Sequence, residues 1–156
     1  MGFADEFQAM TNAGAALIVA TAGTDGTPRA ARAWSVTLVD AVANRLRVAV
    51  AADDPVVVEN LRTGRIALTA ADVRTLRSVQ VKGRPLSIEE PSPADVAVTE
   101  KQSELLLAAI HETDGNPLDL LRRMLPHRVV MVEFAVDDRF DQTPGPCAGA
   151  PLGAEG

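Results

Sequence analysis

Short apolar runs, several of them alternating with polar residues, dominate the chain, and most stop at a turn signal. Between residues 45 and 51, Leu46, Val48 and Val50 alternate with Arg47 and Ala49, which is the period of a half-buried strand. Comparable runs predict strands over these ranges: 15–21, 29–38, 45–51, 65–70, 75–88 and 128–136. Turn residues such as those of 23–28 separate neighbouring runs, so the pattern indicates six or seven antiparallel strands.

Helix signals interrupt the strands at the start, the middle and the late part of the chain. Over 53–64 an aspartate cap, a proline and a terminal glycine predict a short helix, and Ser92 before Pro93 starts another that runs to about His111. The fold class is therefore all-β with peripheral helices, a small barrel. We expect one domain over 1–140, with the last strand ending near Val136, and a Gly- and Pro-rich tail over 141–156.

Charge and composition restrict the partners and the compartment. The net charge of −6 and pI near 4.9 disfavour nucleic acid and anionic membranes, which need a basic surface. A single cysteine, Cys147, and the lack of any 18-residue apolar stretch predict a cytoplasmic protein. Only two of the fifteen lysine and arginine residues are lysines, a usage typical of a GC-rich bacterial genome.

No strong catalytic motif is present. The sequence lacks a dinucleotide-binding glycine motif, a phosphate loop, a nucleophile elbow and a zinc-binding helix motif. His111 and His127 occupy positions typical of helix ends and surfaces, and Cys147 has no neighbouring base. We therefore assign no metal site and no catalytic residue.

One strand carries an arginine where alternation predicts an apolar residue. Over 29–38, a period of two places Arg32 on the same face as Trp34, Val36 and Leu38. A buried guanidinium without a partner is costly, so Arg32 should meet an anion. Either a carboxylate of this protein or a bound phosphate would serve.

A later strand carries a row of hydrogen-bonding side chains. Ser78, Gln80 and Lys82 share one face, opposite Val79 and Val81. A hydroxyl and an ammonium can contact phosphate oxygens, and an amide donates and accepts at once, as a flat heterocycle requires. A solvated sheet face is the alternative interpretation.

Three segments in this order resemble the pyridoxamine phosphate oxidase-like family of FMN-binding split barrels. They are Gly26–Trp34, Val58–Leu68 and Arg77–Gly83. The resemblance implies a six-stranded antiparallel split barrel of the FMN-binding type and a homodimer with FMN bound at its interface.

The same resemblance assigns cofactor-binding roles to individual residues. Arg32 falls at the family's phosphate-contacting arginine, and Trp34 and Ser35 fall in the segment that lines the flavin ring. Ser78 falls at a position often occupied by glutamine near that ring, with Gln80 and Lys82 on the same face.

Two departures separate the chain from the pyridoxamine phosphate oxidases themselves. Residues 55–57 are Pro-Val-Val, where those enzymes carry a Ser-Arg-Lys phosphate clamp. The C-terminal arginine motif that binds pyridoxal phosphate is not evident either.

Three functions fit these observations. The first is an FMN-dependent oxidoreductase acting on a small molecule, because a flavin needs no dedicated acid or base from the protein. The second is a non-catalytic module that binds flavin, deazaflavin F420 or haem, which the missing clamp favours. The third is a cofactor-free structural dimer, which leaves Arg32 without an evident anion.

Overall fold

The computed structural model describes residues 2–153 and contains four helices and six strands in that range. The helices are α1 Phe3–Asn12, α2 Pro55–Thr63, α3 Pro93–Asp114 and α4 Leu118–Arg122. The strands are β1 Ala16–Ala22, β2 Pro28–Asp40, β3 Arg45–Ala51, β4 Arg65–Ala71, β5 Ser78–Glu89 and β6 Val129–Asp141.

The six strands close into one barrel in the order β1-β2-β3-β6-β5-β4. Every neighbouring pair is antiparallel, including the β1–β4 pair that closes the ring. The predicted antiparallel barrel with peripheral helices is therefore confirmed, with six strands.

The barrel interior is filled by apolar side chains from alternate strand positions and from two helices. Phe7 and Met10 of α1 and Val57 and Leu61 of α2 join the strand residues in one cluster. Gly14 follows the end of α1 with a φ of 96°, and a Cβ at this position would lie 2.6 Å from the backbone of Leu105 in α3. Only glycine suits both this φ and this contact.

A β-bulge in β2 exchanges its inner and outer faces. The register to β3 shifts between Ala33 and Ser35, so that Ala33 and Val36 both lie in the core while Trp34 lies outside it. A bulge inserts one extra residue and reverses the alternation beyond it. The prediction of one face shared by the following four residues is therefore wrong: Arg32, Trp34, Val36 and Leu38.

Helix α3 lies against the outside of β2 and β3. The Gln102 amide accepts a hydrogen bond from Val36 N at 2.9 Å and donates one to Val36 O at 3.0 Å. This side chain satisfies backbone groups of β2 beyond the end of its pairing with β1. Near the start of the helix, Arg47 of β3 forms an ion pair with Asp95 at 2.8 Å.

Strand β6 is longer than its sequence pattern predicts. Of its last residues, 137–141, the final four pair with β5 and Asp137 lies at a shift in register, so the predicted strand end at Val136 is wrong. Three of these five residues are aspartates, and their polarity concealed a strand that is held by its neighbour rather than by burial.

The segment after β6 turns back along that strand. Asp141 N donates to Ala150 O, and Leu152 N donates to Arg139 O, each at 2.9 Å. Phe140 and Pro151 form an isolated bridge. Residues 149–152 therefore pair with the part of β6 that extends beyond its register with β3, and Leu152 packs against the core.

Candidate functional site

The outer surface of the barrel is divided into two unlike regions. On the first, which we call the covered face, Trp34, Ser35, Ala49 and Met131 of β2, β3 and β6 are buried. On the second, the open face, the outward residues of β1, β4 and β5 are half-buried or exposed, and none is buried. Ligands and partners can reach the open face without displacing a helix.

The open face has a continuous row of residues that lie opposite one another on adjacent strands. Cross-strand pairing places Arg32 beside Ile18, Ile18 beside Thr69, and Thr69 beside Gln80. The Gln80 Nε2 donates a hydrogen bond to Thr69 Oγ1 at 3.0 Å. Three strand spacings separate Arg32 from Gln80, which is roughly 14 Å along the sheet.

Arg32 differs from most arginines of this protein in having no carboxylate partner within residues 2–153. Its guanidinium lies 5.8 Å from the centre of the Trp34 ring, a cation–π contact. Eight other arginines form ion pairs with carboxylates: Arg29, Arg45, Arg47, Arg74, Arg77, Arg84, Arg122 and Arg128. The half-buried Arg32 therefore keeps its hydrogen-bond donors available to an external anion.

Trp34 and Ser35 do not lie on the open face. Trp34 is 4% exposed and Ser35 is 1% exposed. The hydroxyls of Ser35 and Thr99 lie 2.7 Å apart, and the Ser103 hydroxyl donates to the backbone oxygen of Trp34. Because α3 covers both residues, the structure groups Arg32 with β1, β4 and β5 instead.

Strand β5 presents its polar residues as alternation predicted. Val79 and Val81 lie in the core, whereas Gln80 is half-buried and Lys82 is exposed on the opposite face. The Lys82 ammonium lies 4.8 Å from the centre of the Phe140 ring. Lys82 is thus a second cation at the β5 side of the open face.

Ser78 is held locally at the start of the same strand. Its hydroxyl donates to Leu76 O at 3.0 Å, and its backbone nitrogen donates to Thr143 Oγ1 at 3.1 Å. Neighbouring Arg77 bonds Glu6 at 3.0 Å and Asp141 at 2.6 Å, and these bonds raise the pKa of its guanidinium. Arg77 is thus occupied by carboxylates, unlike Arg32.

Sequence reasoning overlooked the centre of the open face. Ile18 is 40% exposed, and Ala20, Ala67 and Thr69 around it are half-buried. The available signal was the small size of alternate residues in β1 and β4, where large and small apolar residues form one continuous run. Such a run predicts a strand buried on both sides, and it concealed a flat outer surface of small side chains.

The start of α2 is already capped by a carboxylate. Asp54 Oδ1 accepts hydrogen bonds from the backbone nitrogens of Val56 and Val57 at 3.1 and 3.2 Å. Asp54 also pairs with Arg29, and the hydrogen bonds from Val57, Arg29 and Val56 outweigh desolvation and lower the pKa of its carboxyl. This helix N-terminus therefore has its first donors engaged by the protein itself.

Both histidines and the cysteine lie outside the open face. The His111 ring nitrogen Nδ1 lies 2.7 Å from Asn116 O at the end of α3, while His127 and Cys147 are exposed. Between residues 2 and 153 no group of three or more histidine, cysteine, aspartate or glutamate side chains is arranged to hold a metal ion. Across the same range, no helix combines the length and apolarity needed to span a bilayer.

Known proteins resemble this chain in structure rather than in sequence. No family profile and no curated protein sequence matches it. A candidate pyridoxamine 5′-phosphate oxidase from Lactobacillus delbrueckii is 19% identical with a TM-score of 0.52, over 86% of this chain and 91% of that one. The chain has the split-barrel fold of the pyridoxamine phosphate oxidase-like proteins. The predicted resemblance is thereby confirmed at the level of the fold.

Two further solved structures show how varied the proteins of this fold are. An F420 reductase is 14% identical with a TM-score of 0.55, over 85% of this chain and 94% of that one. HutZ, a haem storage protein from Vibrio cholerae, is 13% identical with a TM-score of 0.51, over 90% of this chain and 95% of that one. The fold alone therefore does not specify a function, which depends on the residues of the site.

Proposed function

We propose that this protein is an FMN-dependent oxidoreductase that acts on a small molecule and holds the cofactor on its open face. The observation that carries the proposal is Arg32, a half-buried arginine at one end of the cross-strand row, with no carboxylate partner among residues 2–153. The candidate oxidase and the F420 reductase of the same fold support a flavin-type cofactor.

The residues of the open face suit the chemical parts of FMN. A guanidinium pairs well with phosphate, because its planar donors match two oxygens at once. The amide of Gln80 can donate and accept at the edge of a flat ring. The small side chains of Ala20 and Ala67 allow such a ring to lie close to the sheet. FMN, once bound, supplies hydride and electron transfer.

We further propose that a second copy of the chain covers the open face. Ile18 and the outward alanines of β1 and β4 form an apolar surface that no helix within residues 2–153 buries. Small outward residues permit close approach of another sheet, and closure around a flavin excludes water from the reacting atoms. The protein therefore binds, orients and shields the cofactor, with no titrating side chain required at the reacting atom.

A storage or sensing role on the same face is the second candidate. The residues of a phosphate clamp are absent from the start of α2. The Asp54 carboxylate accepts the hydrogen bonds of backbone nitrogens there instead. Because the site has fewer donors for a phosphate, it also suits a module that binds flavin, F420 or haem without turning over a substrate. HutZ, a haem storage protein, shares the fold.

Spectroscopy of the purified protein separates these functions. A flavin absorption band that bleaches with NADH or NADPH supports the oxidoreductase, and a flavin band that does not bleach supports a binding module. A Soret band on addition of haem, with no uptake of flavin, would mean that haem and not FMN is the cofactor. Sedimentation at micromolar concentration measures the expected dimer.

Arg32→Ala tests the observation on which the proposal depends. Loss of a charge-assisted pair of about 1.5–3 kcal/mol should weaken FMN binding about 10- to 150-fold in fluorescence titration. Arg123→Ala makes the same change in net charge at an exposed position beyond α4 and should leave affinity unaltered. Equal affinity of wild type and Arg32→Ala would show that the phosphate is held elsewhere.

A further inference from the structure

A separate cavity of about 430 Å³ lies between α3 and the connector 125–129, whose last residue, Val129, begins β6. Val96, Thr99, Glu100 and Ser103 line one wall, at the i, i+3, i+4 and i+7 spacing of a single helix face. The connector supplies the opposite wall. This volume falls within the range of small-molecule sites. The cavity lies on the covered side of the barrel, and none of its lining residues belongs to the row across β1, β4 and β5.

The lower part of this cavity is apolar. Leu125 and Val129 line it from the connector and pack against Trp34 beneath. Both hydroxyls on the α3 wall already donate hydrogen bonds within the protein. Thr99 donates to Asp95 O at 2.8 Å, and Ser103 donates to Trp34 O at 3.3 Å. A ligand therefore meets hydrocarbon here rather than free donors.

The rim of the cavity carries an excess of negative charge. Three carboxylates line it, Glu90, Glu100 and Glu104, against the one guanidinium of Arg128. Glu90 pairs with Arg128, and Glu104 pairs with Arg122 at 3.2 Å. Within the described part of the chain Glu100 takes part in no ion pair, so one exposed carboxylate at the mouth is uncompensated.

We propose that this cavity binds a small organic cation, an amine or quaternary ammonium on an apolar body. The apolar part of the ligand would occupy the space above Leu125 and Val129, and its charge would lie at the rim beside Glu100. Charge complementarity selects the cation over neutral and anionic molecules of the same shape. The site goes beyond the proposed flavin function and requires no bound cofactor.

The single tryptophan of the chain makes this proposal directly measurable. Trp34 lies under the cavity, so a ligand that fills it should change Trp34 fluorescence in flavin-free protein. Titration with phenethylamine should give saturable binding with a Kd of about 1 mM, as expected for a ligand of this size. The neutral 2-phenylethanol and the anionic 3-phenylpropionate should bind about 10-fold more weakly or worse.

Two variants assign any fluorescence change to the cavity. Val96→Arg places a cation at an exposed position in the wall and should abolish phenethylamine binding while improving that of 3-phenylpropionate. Glu100→Gln should weaken phenethylamine binding about 2- to 5-fold. Glu59→Gln, an equal charge change on exposed α2, should have no effect.

Each contrary outcome overturns the proposal. Equal binding of phenethylamine and 2-phenylethanol would show a cavity without charge selection. Binding that survives both Val96→Arg and Glu100→Gln would place the ligand elsewhere, and an absence of saturable binding by wild type would remove the site. None of these results depends on FMN, so the two proposals fail independently.

Discussion

The covered face and the open face are built on the same barrel, yet they differ in what lies outside it. On the covered face, Trp34 and Met131 are buried, and the ion pair between Arg47 and Asp95 holds α3 against β3. On the open face, the outward alanines, Thr69 and Gln80 are only half-buried by the described residues 2–153. On both faces, the outward residues alternate along the strands with inward residues that belong to the same apolar core.

This difference separates stability from binding. Where large residues and paired charges lie under α3, substitution should cost folding free energy. Where small residues and an unpaired arginine face outward, substitution should change ligand affinity and assembly instead. Paired variants on the two faces test this division.

The largest contrast concerns the two outward apolar residues. Trp34→Ala should lower the free energy of unfolding by about 3–5 kcal/mol, because it leaves a cavity beneath α3. Ile18→Ala should lower it by about 1 kcal/mol or less in dilute monomer, since Ile18 is 40% exposed. Denaturant unfolding followed by circular dichroism measures both. Equal losses would mean that the open face is covered within a single chain.

Glutamine substitutions give a second pair. Gln102→Leu should cost about 2–4 kcal/mol, because both backbone groups of Val36 lose their bonds to the amide in a buried position. Gln80→Leu should change stability by about 0.5 kcal/mol or less, because Gln80 is half-buried and bonds one hydroxyl. Chemical denaturation of the two proteins decides. A mild effect of Gln102→Leu would show that water replaces the amide.

The ion pair on the covered face gives a pH dependence. Hydrogen bonds from Arg47, chiefly, lower the pKa of Asp95 from its usual 3.8 to about 2. A depressed carboxyl pKa stabilises the fold fully above pH 3.8, and this contribution of about 2 kcal/mol is lost as the pH falls towards 2. Its partners are 15% and 13% exposed, so solvent screens the pair little.

Comparison with Asp95→Asn isolates this group from the other carboxylates. The stability difference between wild type and Asp95→Asn should be largest near pH 6 and shrink towards zero at pH 2, in urea unfolding at several pH values. A difference that stays constant over this interval would mean that the negative charge of Asp95 adds nothing to the stability of the fold.

The smallest effect is expected for the histidines, both of which lie outside the open face. Replacing His111 and His127 together by glutamine should leave reduction of bound flavin by NADPH within about 3-fold of wild type between pH 6 and 8, because no imidazole is needed there. Stopped-flow bleaching of the flavin band gives the rate. Loss of reduction with flavin still bound would show histidine-assisted chemistry.

Much of the barrel follows from local pattern. β3 begins and ends at the predicted residues, and α2 has the predicted aspartate cap and proline start, because alternation and capping act over a few residues. The bulge in β2 was not predictable in this way, since it depends on where β3 and α3 meet the strand. The end of β6 depends in the same manner on β5.

The candidate site was predicted in part. Gln80 and Lys82 lie on the outward face expected from alternation. Arg32 lacks a carboxylate partner in residues 2–153, as one alternative required, although it does not share a face with Val36 and the core. Trp34 and Ser35 are buried under α3, a contact between distant parts of the chain that no local pattern encodes.

The segment that pairs with the end of β6 bears on the solubility of the barrel. Beyond its register with β3, β6 presents backbone donors and acceptors along one edge, and such an edge can recruit a strand from another molecule and begin aggregation. Residues 149–152 occupy this edge. Pro151 has no amide hydrogen to donate to a further strand, so the segment 149–152 also ends the sheet. This segment therefore protects the barrel from fibril-like growth.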